Sequence, residues 1–255
     1  MGDSDSDLKN VQKRALLLVS HGVSSPYAQA ARRVHSNLVS SLQETGEFKE
    51  IHWGYLTCDP LIEDALASFE ADTVYVLPML MSDGYFSRQM IPDKLGLEDV
   101  VSILPTGQKV IQCRPVGLSK LMGDVMIKHM TDYCADNELD AENTSVVVVG
   151  HGSSQNDASR LATSTQVEHI NHTSIFREAH AAYLEEMPDL PMVLKGLDGP
   201  TLIMGYFANC GLHATKDVPK ILEASRHHAI YLGPVGVLGA IKGVVLDCVA
   251  GVEAN

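Results

Sequence analysis

Residues 146–154 read VVVVGHGSS, four valines followed by a histidine between two glycines. Residues 15–25, ALLLVSHGVSS, have nearly the same form. An apolar run rich in branched side chains that ends at small residues is typical of a buried β-strand followed by a turn. The two stretches therefore predict that one strand-and-turn unit occurs twice, about half a chain length apart.

The two halves align at three further positions in the same order. The offsets between aligned residues are 130, 128, 127 and 119, and this slow drift needs only small insertions, mostly in the first half. The aligned pairs are His21 with His151, Thr57 with Glu185, Phe86 with His213, and Pro115 with Pro234. We infer an internal duplication of one α/β unit.

Each half contains four apolar segments separated by helix-length amphipathic stretches. The segments are 14–21, 49–56, 72–80 and 109–116 in the first half, and 144–151, 177–184, 200–207 and 227–235 in the second. Amphipathic helices are predicted at 27–44, 62–69 and 157–170. This pattern predicts an α/β fold of two similar parallel-sheet units. We expect an acidic disordered tail over 1–14, units over 15–134 and 146–255, and a polar linker over 135–145.

The composition limits the partners of the chain. A net charge of −13 over 255 residues disfavours nucleic acid, whose phosphates require a basic surface. No apolar run reaches the roughly 18 residues of a membrane span, and the acidic N-terminus is unlike a signal peptide. Five scattered cysteines, without a CxxC pair, fit a reducing cytoplasm. Monomer and homodimer both stay open.

The aligned strand ends of the second half have chemically useful side chains. His151, Glu185 and His213 follow strands whose carboxyl ends form the ligand-binding edge of a parallel sheet. Two imidazoles and a carboxylate can bind a divalent ion such as Co²⁺, Fe²⁺, Ni²⁺ or Zn²⁺, or can accept protons as general bases. Glu186 is adjacent, so either glutamate can be the third member.

The first half has a different set at the same positions. Only His21 is a histidine there, beside Thr57 and Phe86. A single histidine without partners is more often a structural hydrogen-bonding residue than a ligand. We therefore expect one active site per chain, in the second half.

The motifs LLLVSHG, VVVVGHGSS, AYLEEMP and GLHATKDVP carry a resemblance to a known family. Over residues 15 to 250 the chain resembles the class II tetrapyrrole chelatases, in particular the sirohydrochlorin cobaltochelatase and ferrochelatase group in its two-repeat form. The resemblance implies a bilobal fold with the tetrapyrrole between two α/β units. It also implies ATP-independent insertion of Co²⁺ or Fe²⁺ into sirohydrochlorin, for cobalamin or siroheme biosynthesis.

The resemblance also assigns roles to residues. It makes His151, Glu185 and His213 both the metal ligands and the catalytic bases that take the two pyrrole N–H protons. No permanently bound cofactor is implied, because the metal, cobalt, iron or nickel, is a substrate.

Sirohydrochlorin has eight carboxylates, so an acidic protein needs local positive charge or hydrogen-bond donors to bind it. The candidates are Arg88, Lys216 and Arg160, together with backbone N–H groups at Ser153 and Ser154.

Two other functions compete with the chelatase. A histidine phosphatase also has His-Gly at a strand end but requires an arginine just before the histidine, where this chain has Ser20 and Gly150. A carrier that binds metal or tetrapyrrole without turnover would use the same side chains, and the sequence does not separate it from an enzyme.

Overall fold

The computed structural model describes residues 14–22, 26–153, 156–225 and 227–253. These residues form two compact units, one of residues 14–116 and 242–253, the other of residues 117–241. Except for Arg14, the predicted tail lies outside the described residues, and so does Ser154.

Unit 1 contains a five-stranded sheet in the order β2-β1-β3-β5-β4. All its strand pairs are parallel except β4 with β5. Its strands are β1 (Arg14–Ser20), β2 (Glu50–Tyr55), β3 (Thr73–Pro78), β4 (Val101–Ile103) and β5 (Lys109–Gln112). Its first three helices are α1 (Ala28–Gln43), α2 (Ile62–Ala67) and α3 (Ile91–Leu95), with a π-helical turn at Phe86–Met90 before α3.

Unit 2 contains a four-stranded parallel sheet in the order β7-β6-β8-β9. Its strands are β6 (Ser145–Gly150), β7 (Glu178–Tyr183), β8 (Thr201–Gly205) and β9 (Ala229–Pro234). Its helices are α4 (Leu121–Asp136), α5 (Ala158–Thr173), α6 (Leu190–Lys195) and α7 (Val218–Ala224), with a π-helical turn at His213–Asp217 before α7. The last helix of the chain is α8 (Ile241–Glu253).

The structure confirms the fold class, the eight predicted strands and the three predicted helices. The central strands β1 and β6 contain continuous apolar runs, 15–19 and 146–149, because the side chains of these residues are buried on both faces of the sheet; the four valines of β6 are completely buried. Strand β4, three residues antiparallel to β5, was not predicted from the sequence. The loop that contains β4 accounts for the fall in offset from 127 to 119 after Phe86.

The compact units do not coincide with the sequence repeats. Helix α4 follows β5 in the first repeat but belongs to unit 2, and α8 belongs to unit 1. Within unit 2, Gly123 of α4 lies so close to α5 that a Cβ there would overlap the side chains of His169 and Gln166. The neighbouring Asp124 accepts a hydrogen bond from His169 at 2.7 Å. The repeat boundaries at 135–145 therefore stay a prediction about the duplication.

The described helices include none that is long and apolar enough to span a membrane. None of the five cysteines, all within the described residues, forms a disulfide.

A buried aromatic cluster joins α1 to β2 in unit 1. The ring of His35 stacks on Trp53 at a centroid distance of 3.8 Å, and its Nδ1 lies 2.8 Å from the Tyr55 hydroxyl. Burial, and secondarily the nearby Arg32 guanidinium, lowers the pKa of His35 to about 4. His35 is therefore neutral in the folded protein at neutral pH.

This pKa predicts acid sensitivity of unit 1. Below about pH 6.5 the unfolded chain protonates His35 while the folded chain does not, so the free energy of unfolding falls by about 3 kcal/mol between pH 6.5 and 4. Denaturant unfolding followed by fluorescence of Trp53, the one tryptophan, measures this loss. His35→Gln should be less stable at pH 7 and lose less stability on acidification; parallel pH profiles for the two proteins would contradict the prediction.

Candidate metal site

Three side chains of unit 2 lie at the carboxyl edge of its parallel sheet. His151 directly follows β6, and Glu185 follows β7 by two residues. His213 begins the π-helical turn after β8. Because parallel strands all end at the same edge, the fold brings these distant residues together.

The backbone at the end of β6 holds His151 beside Glu185. The Glu185 N–H donates to the His151 carbonyl at 3.0 Å. Gly152 has φ +78°, and a Cβ there would lie 2.9 Å from Glu186 Cγ and 3.0 Å from Tyr183 Cβ. Only glycine fits this turn, which explains the Gly after the histidine.

The three side chains can close on one ion. His151, Glu185 and His213 each offer a ligand atom within 4.8 Å of the other two, and among the described residues this is the one such His, Cys, Asp or Glu group. The imidazole centroids are 4.5 Å apart with planes at 83°, and His151 Nδ1 lies 3.6 Å from Glu185 Oε2. Imidazole and carboxylate ligands bind such an ion at about 2.0–2.2 Å.

Hydrogen bonds fix which nitrogen of each imidazole is available. His151 Nδ1 lies 2.9 Å from the Gly152 carbonyl, and His213 Nδ1 lies 2.8 Å from Asp217 Oδ2. A carbonyl and a carboxylate can only accept, so each Nδ1 donates. Both Nε2 atoms therefore have a free lone pair for a divalent cation.

Asp217 contacts His213 and was not predicted from the sequence as a site residue. It ends the π-helical turn that His213 begins, four residues later, and both side chains are about one-third exposed. Residues four apart meet on a helical surface, so the His-x-x-x-Asp spacing was the signal that could have identified it. The position aligned with Asp217 in the first half is Met90.

The structure separates the two adjacent glutamates. Glu185 is exposed and belongs to the three-residue cluster. Glu186 turns the other way, where its Oε1 accepts the Ser153 N–H at 3.3 Å and its Oε2 lies 4.0 Å from Arg160 Nε. Glu185 is thus the carboxylate beside the imidazoles.

Unit 1 has a similar pair of aromatic rings at the equivalent positions, but it lacks two of the three metal ligands. The rings of His21 and Phe86 are 4.7 Å apart with planes at 72°, close to the His151–His213 geometry. Thr57 Oγ1 donates to the His21 carbonyl at 2.7 Å. A phenyl ring and a hydroxyl so engaged provide no divalent metal site, which agrees with a structural role for His21.

The residues predicted to bind the substrate's carboxylates differ in their neighbours and in the unit to which they belong. Arg160 pairs with Asp157 at 2.6 Å, and that hydrogen bond chiefly raises its pKa. Lys216 lies exposed within the π-helical turn next to Asp217. Arg88 belongs to unit 1, where it pairs with Asp83 at 2.9 Å.

The contact between His213 and Asp217 predicts weaker metal binding when Asp217 is replaced. Asp217→Ala should raise the dissociation constant for Co²⁺ by roughly 10- to 100-fold, because the imidazole loses the acceptor that orients it. Asp217→Asn, which retains an oxygen acceptor, should lose less. Titration of the metal-free protein with Co²⁺ measures both, and equal affinity of wild type and Asp217→Ala would refute this role.

Comparisons with known proteins agree with this fold. The chain is 27% identical over 225 residues to a probable sirohydrochlorin cobaltochelatase of Halobacterium salinarum, covering 81% of this chain and 76% of that protein. The structure of a CbiX described as the terminal enzyme of siroheme biosynthesis in denitrifying bacteria superposes with a TM-score of 0.75 at 19% identity, covering 93% of this chain and 99% of that one. SirB from Bacillus subtilis with Fe³⁺ gives 0.77 at 19% identity, covering 95% and 96%.

The CbiX family model matches the chain twice, over residues 15–133 and 145–250. The two matches repeat the duplication seen in the sequence, and they confirm the resemblance to the sirohydrochlorin chelatases. The chain belongs to the CbiX family.

Proposed function

We propose that this protein is a chelatase that inserts a divalent metal ion into sirohydrochlorin. The observation that carries the proposal is the cluster of His151, Glu185 and His213, with both Nδ1 atoms engaged and both Nε2 atoms free. The relative from Halobacterium salinarum, named a probable sirohydrochlorin cobaltochelatase, supports the choice of tetrapyrrole.

In the proposed reaction the metal is a substrate that the cluster holds only until the macrocycle accepts it. The four nitrogens of the macrocycle replace the protein ligands, so four metal–nitrogen bonds form while the bonds from the metal to imidazole and carboxylate break, and the two N–H protons leave. Glu185 has a side chain 55% exposed, so it can take a proton and release it to water. Each imidazole freed from the metal can accept a proton at Nε2. The step balances with the loss of two protons and needs no ATP.

The ligand set fits several metals. Imidazole and carboxylate bind cobalt, ferrous iron and nickel alike. Among these we propose Co²⁺ or Fe²⁺ as the substrate, and cobalamin or siroheme biosynthesis as the pathway that uses the product. A cytoplasmic location and a monomeric or homodimeric state stay predictions.

Donors near the cluster support binding of an anionic substrate. Arg160 is partly exposed and has donors beyond those used by Asp157, and Lys216 follows His213 by three residues. We assign both to the substrate's carboxylates. The Ser153 N–H donates to Glu186 Oε1 at 3.3 Å, so it would have to leave Glu186 to contact the substrate. The same role for Ser154 and Arg88 rests on sequence alone.

The test is an anaerobic absorbance assay with sirohydrochlorin and Co²⁺ or Fe²⁺. Wild type should insert metal well above the spontaneous rate, and His213→Ala should lose at least about a hundredfold in kcat/KM because it removes a metal ligand and a proton acceptor together. His21→Ala is the matched control from the other repeat and should stay within a few-fold of wild type.

Two outcomes would contradict this function. Binding of sirohydrochlorin and metal without any acceleration would indicate the non-catalytic carrier instead. Loss of activity in His21→Ala, with the protein still folded, would overturn the one-site proposal.

A further inference from the structure

Large apolar side chains of unit 2 are exposed mainly around the metal cluster. Five such residues are exposed among the described residues of unit 2, and four of them follow the carboxyl ends of its strands. These four, here called the apolar rim, are Leu161 (58% exposed), Met187 (62%), Met192 (56%) and Leu212 (45%). The fifth, Leu121, begins α4 elsewhere in the unit.

The chain path places the rim beside the cluster. Leu212 directly precedes His213, and Met187 follows Glu185 by two residues. Met192 lies in the first turn of α6, which begins next to the end of β7 because the Tyr183 N–H donates to the Pro188 carbonyl at 3.0 Å.

Leu161 approaches the same edge from the other side. It lies in the first turn of α5, after the loop that contains His151. Its neighbour Arg160 has its Nε 4.0 Å from Glu186 Oε2, so this turn lies alongside the β7 loop. All four rim residues thus belong to segments that follow the strand ends at the carboxyl edge, where the metal ligands also lie.

The duplication provides an internal comparison. With the same offsets as the aligned anchors, the four rim positions correspond in the first half to Ala31, Asp59, Asp64 and Tyr85. Ala31 is buried and small, and two methionines are replaced by carboxylates. Only Tyr85, which is 55% exposed, keeps a large exposed side chain there. The first half therefore lacks three of the four rim residues as well as two of the three ligands, which links the rim to the same function as the metal cluster.

We propose that the apolar rim is the surface on which the flat face of the tetrapyrrole ring lies during metal transfer. This inference rests on the proposed function. Sirohydrochlorin has its carboxylates at the periphery and a conjugated apolar ring in the centre, and the rim with Arg160 and Lys216 has the complementary pattern of apolar and charged groups. Methionine suits this contact, because its unbranched polarisable side chain adapts to a ring that must pucker to admit a metal.

The test is the double variant Met187→Gln/Met192→Gln, which retains side-chain length and adds no charge. Its dissociation constant for metal-free sirohydrochlorin, measured by absorbance, should rise about tenfold, because two apolar contacts are lost. Its affinity for Co²⁺ should match wild type. Met187→Leu/Met192→Leu should restore tetrapyrrole binding, which separates apolar contact from local structure.

The matched control is Val101→Gln/Ile103→Gln, which alters two exposed apolar residues of β4 in unit 1. It should bind sirohydrochlorin like wild type. If wild type binds sirohydrochlorin without inserting metal, the proposed function is wrong, but the sirohydrochlorin affinities of the variants can still be compared.

Three results would overturn the rim proposal. They are unchanged tetrapyrrole affinity in the double glutamine variant, no tetrapyrrole binding by wild type, and a shift in oligomeric state by light scattering with unchanged tetrapyrrole affinity. The last would assign the rim to a second copy of this chain.

Discussion

The parallel register of β6 against β7 and β8 is the constraint on which the metal site depends. Gly150 pairs with Tyr183 and Val149 pairs with Gly205, so the three strands end nearly level. His151 and Glu185 lie within two residues of the ends of β6 and β7, and His213 lies in the π-helical turn after β8. The Glu185 N–H donates to the His151 carbonyl. A one-residue slip would reverse the face of each side chain and separate the imidazoles from the carboxylate. Complete burial of the β6 valines on both faces stabilises this register.

The duplication shows how little is needed to lose a metal site while the fold remains. Phe86 meets His21 at nearly the distance and angle at which His213 meets His151. An aromatic ring preserves the packing in that place, but it has no lone pair for a metal. Thr57 is short and bonds to backbone, so the carboxylate is lost as well. Two side-chain differences thus distinguish the sheet edge that can bind a metal from the edge that cannot.

The fold class and the three cluster residues could be predicted from the sequence, because comparison of the two repeats shows which strand ends have ligand-type side chains in only one of them. The aligned strand ends identified His151, Glu185 and His213, since periodicity and offset depend only on order along the chain. Asp217 was not predicted because its role depends on a π-helical turn that places its carboxylate beside His213 Nδ1. Strand β4 was not predicted because three residues show no clear alternation of apolar and polar side chains.

The apolar rim was not predicted either, since the sequence does not show whether an apolar residue is buried in the core or exposed. Which compact unit α4 joins depends on the close approach at Gly123, which is a tertiary contact.

The most direct test of a single metal site is the stoichiometry of Co²⁺ binding, measured by equilibrium titration of the metal-free chain and followed by the visible absorption of the bound ion. One ion per chain is predicted for wild type, with its spectrum unchanged by His21→Ala and abolished by Glu185→Ala. Two equivalent ions per chain, or one ion that survives loss of Glu185 and depends on His21, would contradict the assignment of the site to the second repeat.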